Sequence, residues 1–285
     1  MRNDSNPVRT CHATLLCVGA VLGLILLGAC PAARGSEGDA PSEGEELAKK
    51  LANPVAAMIS VPFQLNYDEN IGPQEKGSQW RLNIQPVIPF SLTEDWNLVS
   101  RTIMPVLWQN DVAPGVKDRS GLGDTTQSLF FSPKAPTSGG LIWGAGPVFL
   151  LPTATDDLLG GDKWGAGPTA VALTQRGPWT VGVLANHIWS FAGDDNRQDV
   201  STTLLQPFLS YVTQTKTTFG LSSESSYDWE GREWSVPVNA VVSQLLKVGK
   251  LPVQLGVGVR YWAAAPENGP EGWGARVALT FLLPK

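Results

Sequence analysis

The chain has 285 residues and a formal net charge of -5, with only 16% charged residues. Mild acidity offers nothing to a nucleic-acid backbone, and so little charge beside 30 Gly, 22 Pro and 11 Trp suits a turn-rich β chain with an apolar exterior better than a soluble globular protein. All three cysteines (Cys11, Cys17 and Cys30) fall near the start, so disulfides cannot brace the remainder.

Residues 1–35 read as a secretory signal peptide: Arg2 and Arg9 give a basic start, Thr14 to Ala29 is apolar, and small residues follow to Ser36. Cleavage after Ala33 or Gly35 fits. So does a lipoprotein box, Leu27-Gly28-Ala29-Cys30, which would put a lipid on Cys30. Residues 36–54 read as a flexible tether with a short helix, Glu45 to Ala52, stopped by Asn53-Pro54. That helix is expected to be a frayed lead-in, with a small plug inside the following domain as the alternative.

From Val55 to Lys285 the hydrophobic period is two. Trp80, Leu82 and Ile84 alternate with Arg81, Asn83 and Gln85; Val253, Leu255, Val257, Val259 and Tyr261 alternate with Gln254, Gly256, Gly258 and Arg260. The pattern predicts about twelve strands, at 55–67, 79–90, 96–108, 122–131, 140–152, 164–174, 179–191, 200–212, 217–229, 233–246, 252–263 and 272–283. Those at 96–108, 122–131 and 200–212 alternate poorly.

Runs of this length exceed the roughly 5–6 residues usual in soluble sheets and match the roughly 9–11 that a tilted strand needs to cross a bilayer. Bulky apolar residues share one face, while Gly, Ser, Asn, Gln, Arg and Glu share the other. That is inside-out for a soluble barrel and expected for one in lipid. The fold class is therefore all-β, an antiparallel transmembrane β-barrel of about twelve strands. Aromatics cluster at strand ends as two girdles, one including Tyr67, Trp80, Trp164, Trp189, Trp234 and Trp273, the other including Phe90, Trp96, Trp143, Trp179, Tyr211 and Phe281. Long connections on one side are acidic, with Asp68, Glu69, Asp156 and Asp194 among them, while the shorter turns carry Lys134, Arg176 and Lys216.

One pentapeptide occurs twice, Trp143-Gly144-Ala145-Gly146-Pro147 and Trp164-Gly165-Ala166-Gly167-Pro168, each opening a strand. Antiparallel neighbours put the two tryptophans at opposite membrane faces. Pro147 and Pro168 fall on the outward parity and are expected at bulges or bends near the rims.

Catalysis finds little support. His187 is the single histidine after the leader and lies on the apolar parity between Ala185 and Trp189, as an interfacial residue would. No Gly-x-Ser-x-Gly elbow, Cys/His metal spacing or Walker sequence occurs, so no enzyme activity, cofactor or metal centre is expected. Charges within strands must avoid lipid, because Arg or Lys facing mid-bilayer costs about 2–4 kcal/mol. Arg81, Asn83, Gln85, Arg101 and Asn186, with Glu224, Asp228, Asn239, Arg260 and Arg276, are thus expected to line the lumen.

Gly121-Leu122-Gly123-Asp124, then Leu151-Pro152-Thr153, then Lys163-Trp164-Gly165-Ala166-Gly167-Pro168 resemble the outer-membrane proteins grouped with the meta-pathway phenol-degradation protein, often labelled "transporter" or "neuromedin U". The resemblance spans about Val55 to Lys285 and carries no binding residues. It implies a Gram-negative outer-membrane barrel that passes small, often hydrophobic compounds. Many such barrels end in an aromatic residue, whereas this chain ends Pro284-Lys285. The expected partners are outer-membrane lipid, a small-molecule solute and the barrel-assembly machinery. The alternative is a structural or adhesive barrel with a plugged lumen, whose acidic loops bind a partner or Ca²⁺.

Overall fold

A computed structural model describes residues 42–283; the signal segment, Cys30 and the terminal Pro284-Lys285 lie outside them. A helix, α1 (Glu43–Leu51), precedes fifteen strands. These are β1 (Ile59–Ile71), β2 (Gly77–Ile84), β3 (Val87–Ser91), β4 (Trp96–Asn110), β5 (Arg119–Leu122), β6 (Thr125–Pro133), β7 (Leu141–Leu151) and β8 (Lys163–Arg176). After them come β9 (Trp179–Gly193), β10 (Ser201–Val212), β11 (Thr217–Ser223), β12 (Ser225–Asp228), β13 (Glu233–Val248), β14 (Leu251–Ala264) and β15 (Gly272–Leu283).

Each stave pairs antiparallel with its sequence neighbours, and β15 returns to β1 from Ile59↔Leu283 to Tyr67↔Ala275. The sheet is a closed barrel of twelve staves, because β2 and β3, β5 and β6, and β11 and β12 are each one interrupted stave. Closure pairs the backbone internally and leaves no edge, which lets a chain without disulfides persist in lipid.

The interruptions have local causes. Pro86, between β2 and β3, has no N–H for the ladder. Gly123-Asp124 shifts the pairing on β4 by one residue, from Val106↔Leu122 to Ile103↔Thr126, and frees the Asp124 carboxylate for loop contacts. At Glu224 the register is kept on both sides, and the side chain turns into the lumen.

Parity sorts the two faces. Val181, Val183, Leu205, Leu221, Val257 and Val277 form part of an exposed apolar belt, flanked by aromatic contacts that stay within their own rims. Tyr67 meets Trp80, Tyr227 meets Trp229 and Trp234, and Tyr261 meets Trp273 at one rim. Trp96 meets Trp143, Trp179 meets Tyr211 and Phe63 meets Phe281 at the other. The two tryptophans of the repeated pentapeptide lie in opposite girdles. Long loops, as at 152–162 and 265–271, leave the first rim; short turns, as at 177–178 and 249–250, leave the second, marking it as the periplasmic side.

Three expectations are corrected. Residues 55–58 are not strand: Val55 turns into the barrel and is buried with Val99, Phe130, Val171 and Leu184. Pro147 and Pro168 sit mid-strand rather than near the rims, directly paired across β7 and β8. Each turns its missing N–H away from the other: ladder pairs to β6 stop between Val148 and Ala145, and those to β9 stop between Ala166 and Thr169. Gly146 and Gly167 let the backbone there press against the carbonyls of Leu129 and His187, where a Cβ would clash. Asp68 belongs not to a solvated loop but to β1, with 2% exposure inside the lumen.

Candidate functional site: the barrel lumen

The lumen has two unlike halves. Around β11 to β15, β1 and β2 the inward positions carry charge. Arg276 donates from Nε to Asn66 Oδ1 at 2.7 Å and from both terminal nitrogens to Glu224 at 2.9 and 2.8 Å. This bidentate pair crosses from β15 to the break between β11 and β12. Arg260 stands 3.4 Å from Asp68 without hydrogen-bond geometry and stacks over Trp262 at 4.6 Å, while Trp262 Nε1 donates to Asp68 Oδ1 at 2.8 Å. Around β4 to β10 the inward positions mix polar residues, among them Arg101, Ser128, Thr180 and Gln206, with an apolar group: Val99, Phe130, Val171, Leu173 and Leu184 form a buried cluster, with Leu204 and Phe208 packed against it. These residues explain why 96–108, 122–131 and 200–212 alternate poorly. Val99, Phe130 and Phe208 put apolar side chains on the inward parity there, while Ser100, Thr102 and Gln127 put polar ones on the outward parity, hydrogen-bonded through Gln127.

The ten residues expected in the lumen divide by position. Arg81, Asn83, Gln85, Arg101, Glu224 and Arg260 line a central cavity of about 540 Å³. Arg276 is buried beside it, held by Asn66 and Glu224. Asn239 is fully buried, its amide reaching the Ser222 carbonyl at 3.5 Å. Asn186 pairs with Thr169 and Leu204, and Asp228 accepts from the Glu230 N–H at the extracellular rim; neither borders the cavity. Sequence reasoning missed Asn66, Asp68, Gln206 and Trp262. The parity of Asn66 extends to Asp68, and that of Arg260 to Trp262, so both were within reach of the alternation.

α1 seats inside the periplasmic mouth, which corrects the expected frayed lead-in in favour of the alternative, a small plug. Ser42 and Glu45 form a capping box: the Ser42 N–H donates to Glu45 Oε2 at 2.6 Å, and the Glu45 N–H donates to Ser42 Oγ at 3.4 Å. Ala48 is buried against Val212, Leu245 and Leu282, with Leu47, Leu51 and Met58 around them. Gln175 Nε2 donates to the Lys49 carbonyl at 2.8 Å. The helix divides the lower lumen. A cavity of about 170 Å³ lies above it, sharing Gln85, Arg101 and Gln206 with the central one. Another of about 630 Å³ lies below, sharing Lys50, Asn53, Ala56 and Met58 with the narrow one.

At the opposite mouth, loop 152–162 folds inward over β5 and buries Leu159. Asp124 accepts from the N–H groups of Ala154 at 3.2 Å and Gly161 at 2.6 Å. Arg119 pairs with Asp156 at 2.8 Å, and Arg197 donates to the carbonyls of Asp157 and Gly160. The N–H of Leu158, then Arg119, holds the Asp156 carboxyl below its ordinary range. Among the described residues, no three acidic, His or Cys side chains gather as a metal site would require. His187, facing outward at the extracellular girdle, stacks on Trp189 at 3.9 Å, and its Nδ1 lies 2.7 Å from Thr203 Oγ1.

No protein-family model and no curated protein matches the chain. An outer membrane channel from Pseudomonas putida F1 superposes with a TM-score of 0.63 at 14% identity, over 80% of this chain and 96% of that one. The NanC porin gives 0.49 at 9% identity, over 80% and 100% of the two chains, and the KdgM porin 0.46 at 13%, over 79% and 99%. At such identities the likeness is one of fold. A closed antiparallel barrel with an apolar belt, two aromatic girdles and that fold is a protein of the outer membrane.

Proposed function

We propose that the chain is a channel for passive passage of small solutes across the outer membrane. The carrying observation is the run of three cavities from the extracellular vestibule to the periplasmic mouth, each sharing wall residues with the next. The ion-paired residues act as a rigid polar lining on one side, and Val87, Leu184 and Phe208 give the narrow cavity an apolar wall on the other. Solutes with apolar or aromatic bodies suit such a lumen, in keeping with the resemblance to the phenol-degradation group. Passage through a cavity of about 170 Å³ restricts the solute to about one ring, since a cavity of roughly 150 Å³ accommodates benzene.

A second reading, a plugged structural barrel, is favoured by the seated helix alone. Liposome swelling separates the two. Vesicles carrying the folded protein should swell with small solutes and exclude disaccharides; vesicles that swell with neither, even after residues 42–58 are deleted, would leave only the plugged barrel.

A further inference from the structure

The narrowest part of the lumen joins two surfaces that together describe a ligand. Arg101 donates from Nη2 to Gln85 Oε1 at 2.9 Å, its only side-chain partner among the described residues. Among the described residues the ion pairs involve Arg119, Lys163, Arg260 and Arg276, and none involves Arg101. Glu224 borders the same cavity, but both its oxygens are engaged by Arg276. A guanidinium carries five N–H donors and stays charged, so Arg101 presents most of its fork to the space shared by the central and narrow cavities. The amides of Gln85 and Gln206 border that same space.

Directly below, Val87, Leu184 and Phe208 wall the narrow cavity on the barrel side, and Leu51 and Met58 close it from the plug. Its volume of about 170 Å³ is slightly more than a benzene-sized cavity. A neutral ring would fill that space and leave Arg101 without a new partner. An inorganic anion would pair with Arg101 and leave the apolar walls uncovered. Only a molecule with both parts uses both surfaces.

We propose that this constriction binds a small monocarboxylate bearing one compact apolar ring, with its carboxylate on Arg101 and its ring against Leu184 and Phe208. The inference deepens the reading of the lumen as a passage and rests on it for its purpose. The planar fork of Arg101 suits bidentate carboxylate pairing, strengthened by the low dielectric of the surroundings. Arg81 also has no ion-pair partner among the described residues and lines the vestibule above, where it draws anions inward.

The test is calorimetric titration of the folded, detergent-solubilised protein with benzoate, cyclohexanecarboxylate and benzyl alcohol, beside R101Q and R101K. Heat-modifiable gel mobility verifies folding of each variant. Both carboxylates should bind at least about tenfold more tightly than the alcohol. R101Q should lose that preference, and R101K should keep part of it. Equal binding of benzoate and benzyl alcohol by the wild-type protein, a comparison needing no variant, overturns the proposal; so does a folded R101Q that binds benzoate as well as the wild type. Liposome swelling of the same preparations keeps the two ideas apart: carboxylate binding without flux contradicts the passage alone, and flux without carboxylate preference contradicts this site alone.

Discussion

Glu224 shows most directly how single residues set the interior. It occupies the break in its stave and pairs bidentately across the lumen with Arg276, whose side chain is 5% exposed. Replacing the carboxylate by an amide leaves a buried guanidinium with Asn66 and a single neutral oxygen in place of a charged, two-oxygen acceptor. Loss of one partner from a buried pair costs about 3–5 kcal/mol, and partial exposure of Glu224 reduces this to roughly 1–3 kcal/mol. E224Q should therefore lower the urea midpoint of the barrel, followed by tryptophan fluorescence; an unchanged midpoint would show that the pair contributes nothing. At this scale much was legible. Alternation directs Arg81, Arg101, Arg260 and Arg276 away from lipid, because lipid cannot solvate them. It could not reveal that Val99, Phe130 and Phe208 also face inward. An apolar residue on the inward parity reads merely as a broken pattern, and its partners lie on staves distant in sequence.

Among the elements, α1 and loop 152–162 close the two mouths, and each hangs on a few polar contacts. Hydrogen bonding with Ser42, through its backbone and then its side chain, holds the Glu45 carboxyl below the usual carboxylate range. A depressed carboxyl contributes stability that is present above the unfolded value and lost as pH falls through the folded one. The cap should thus release as pH drops below the ordinary glutamate value of about 4.3 and through the lowered value of Glu45. A spin label at the exposed Glu46 should gain mobility over that interval while the barrel stays folded; an invariant spectrum until global unfolding would contradict this. At the other mouth, D124A removes the acceptor for the Ala154 and Gly161 N–H groups. It should make the loop several-fold faster to nick with protease, without a change in barrel stability; equal rates would mean Asp124 does not hold the loop. The strands themselves were readable, since period two over ten residues has few alternatives. The start of the helix was expected at Glu45, two residues late, because the capping box begins at Ser42 and needs Glu45 as its third helical residue. Its docking depends on Val212, Leu245 and Leu282, which no local pattern connects to it.

For the whole molecule, three features support one another: a closed sheet of twelve staves, an apolar belt between two girdles, and a lumen that is charged on one side and carries a buried apolar cluster on the other. Closure was legible because strand length, inverted polarity and aromatic placement all call for the same solvent. The helix in the mouth was not, because Glu43 to Leu51 is short, polar and helical by its own sequence whether it docks or not. Docking narrows the lumen where Lys50, Asn53, Ala56 and Met58 are shared between neighbouring cavities.

Single-channel recording in planar bilayers, comparing the wild-type protein with L47D/L51D, tests this arrangement most directly. The wild type should give small, discrete conductance steps. Releasing the helix should give severalfold larger ones, because Leu47 and Leu51 pack against the cluster that seats it. A membrane that stays sealed with both proteins, each folded by gel mobility, would contradict the channel.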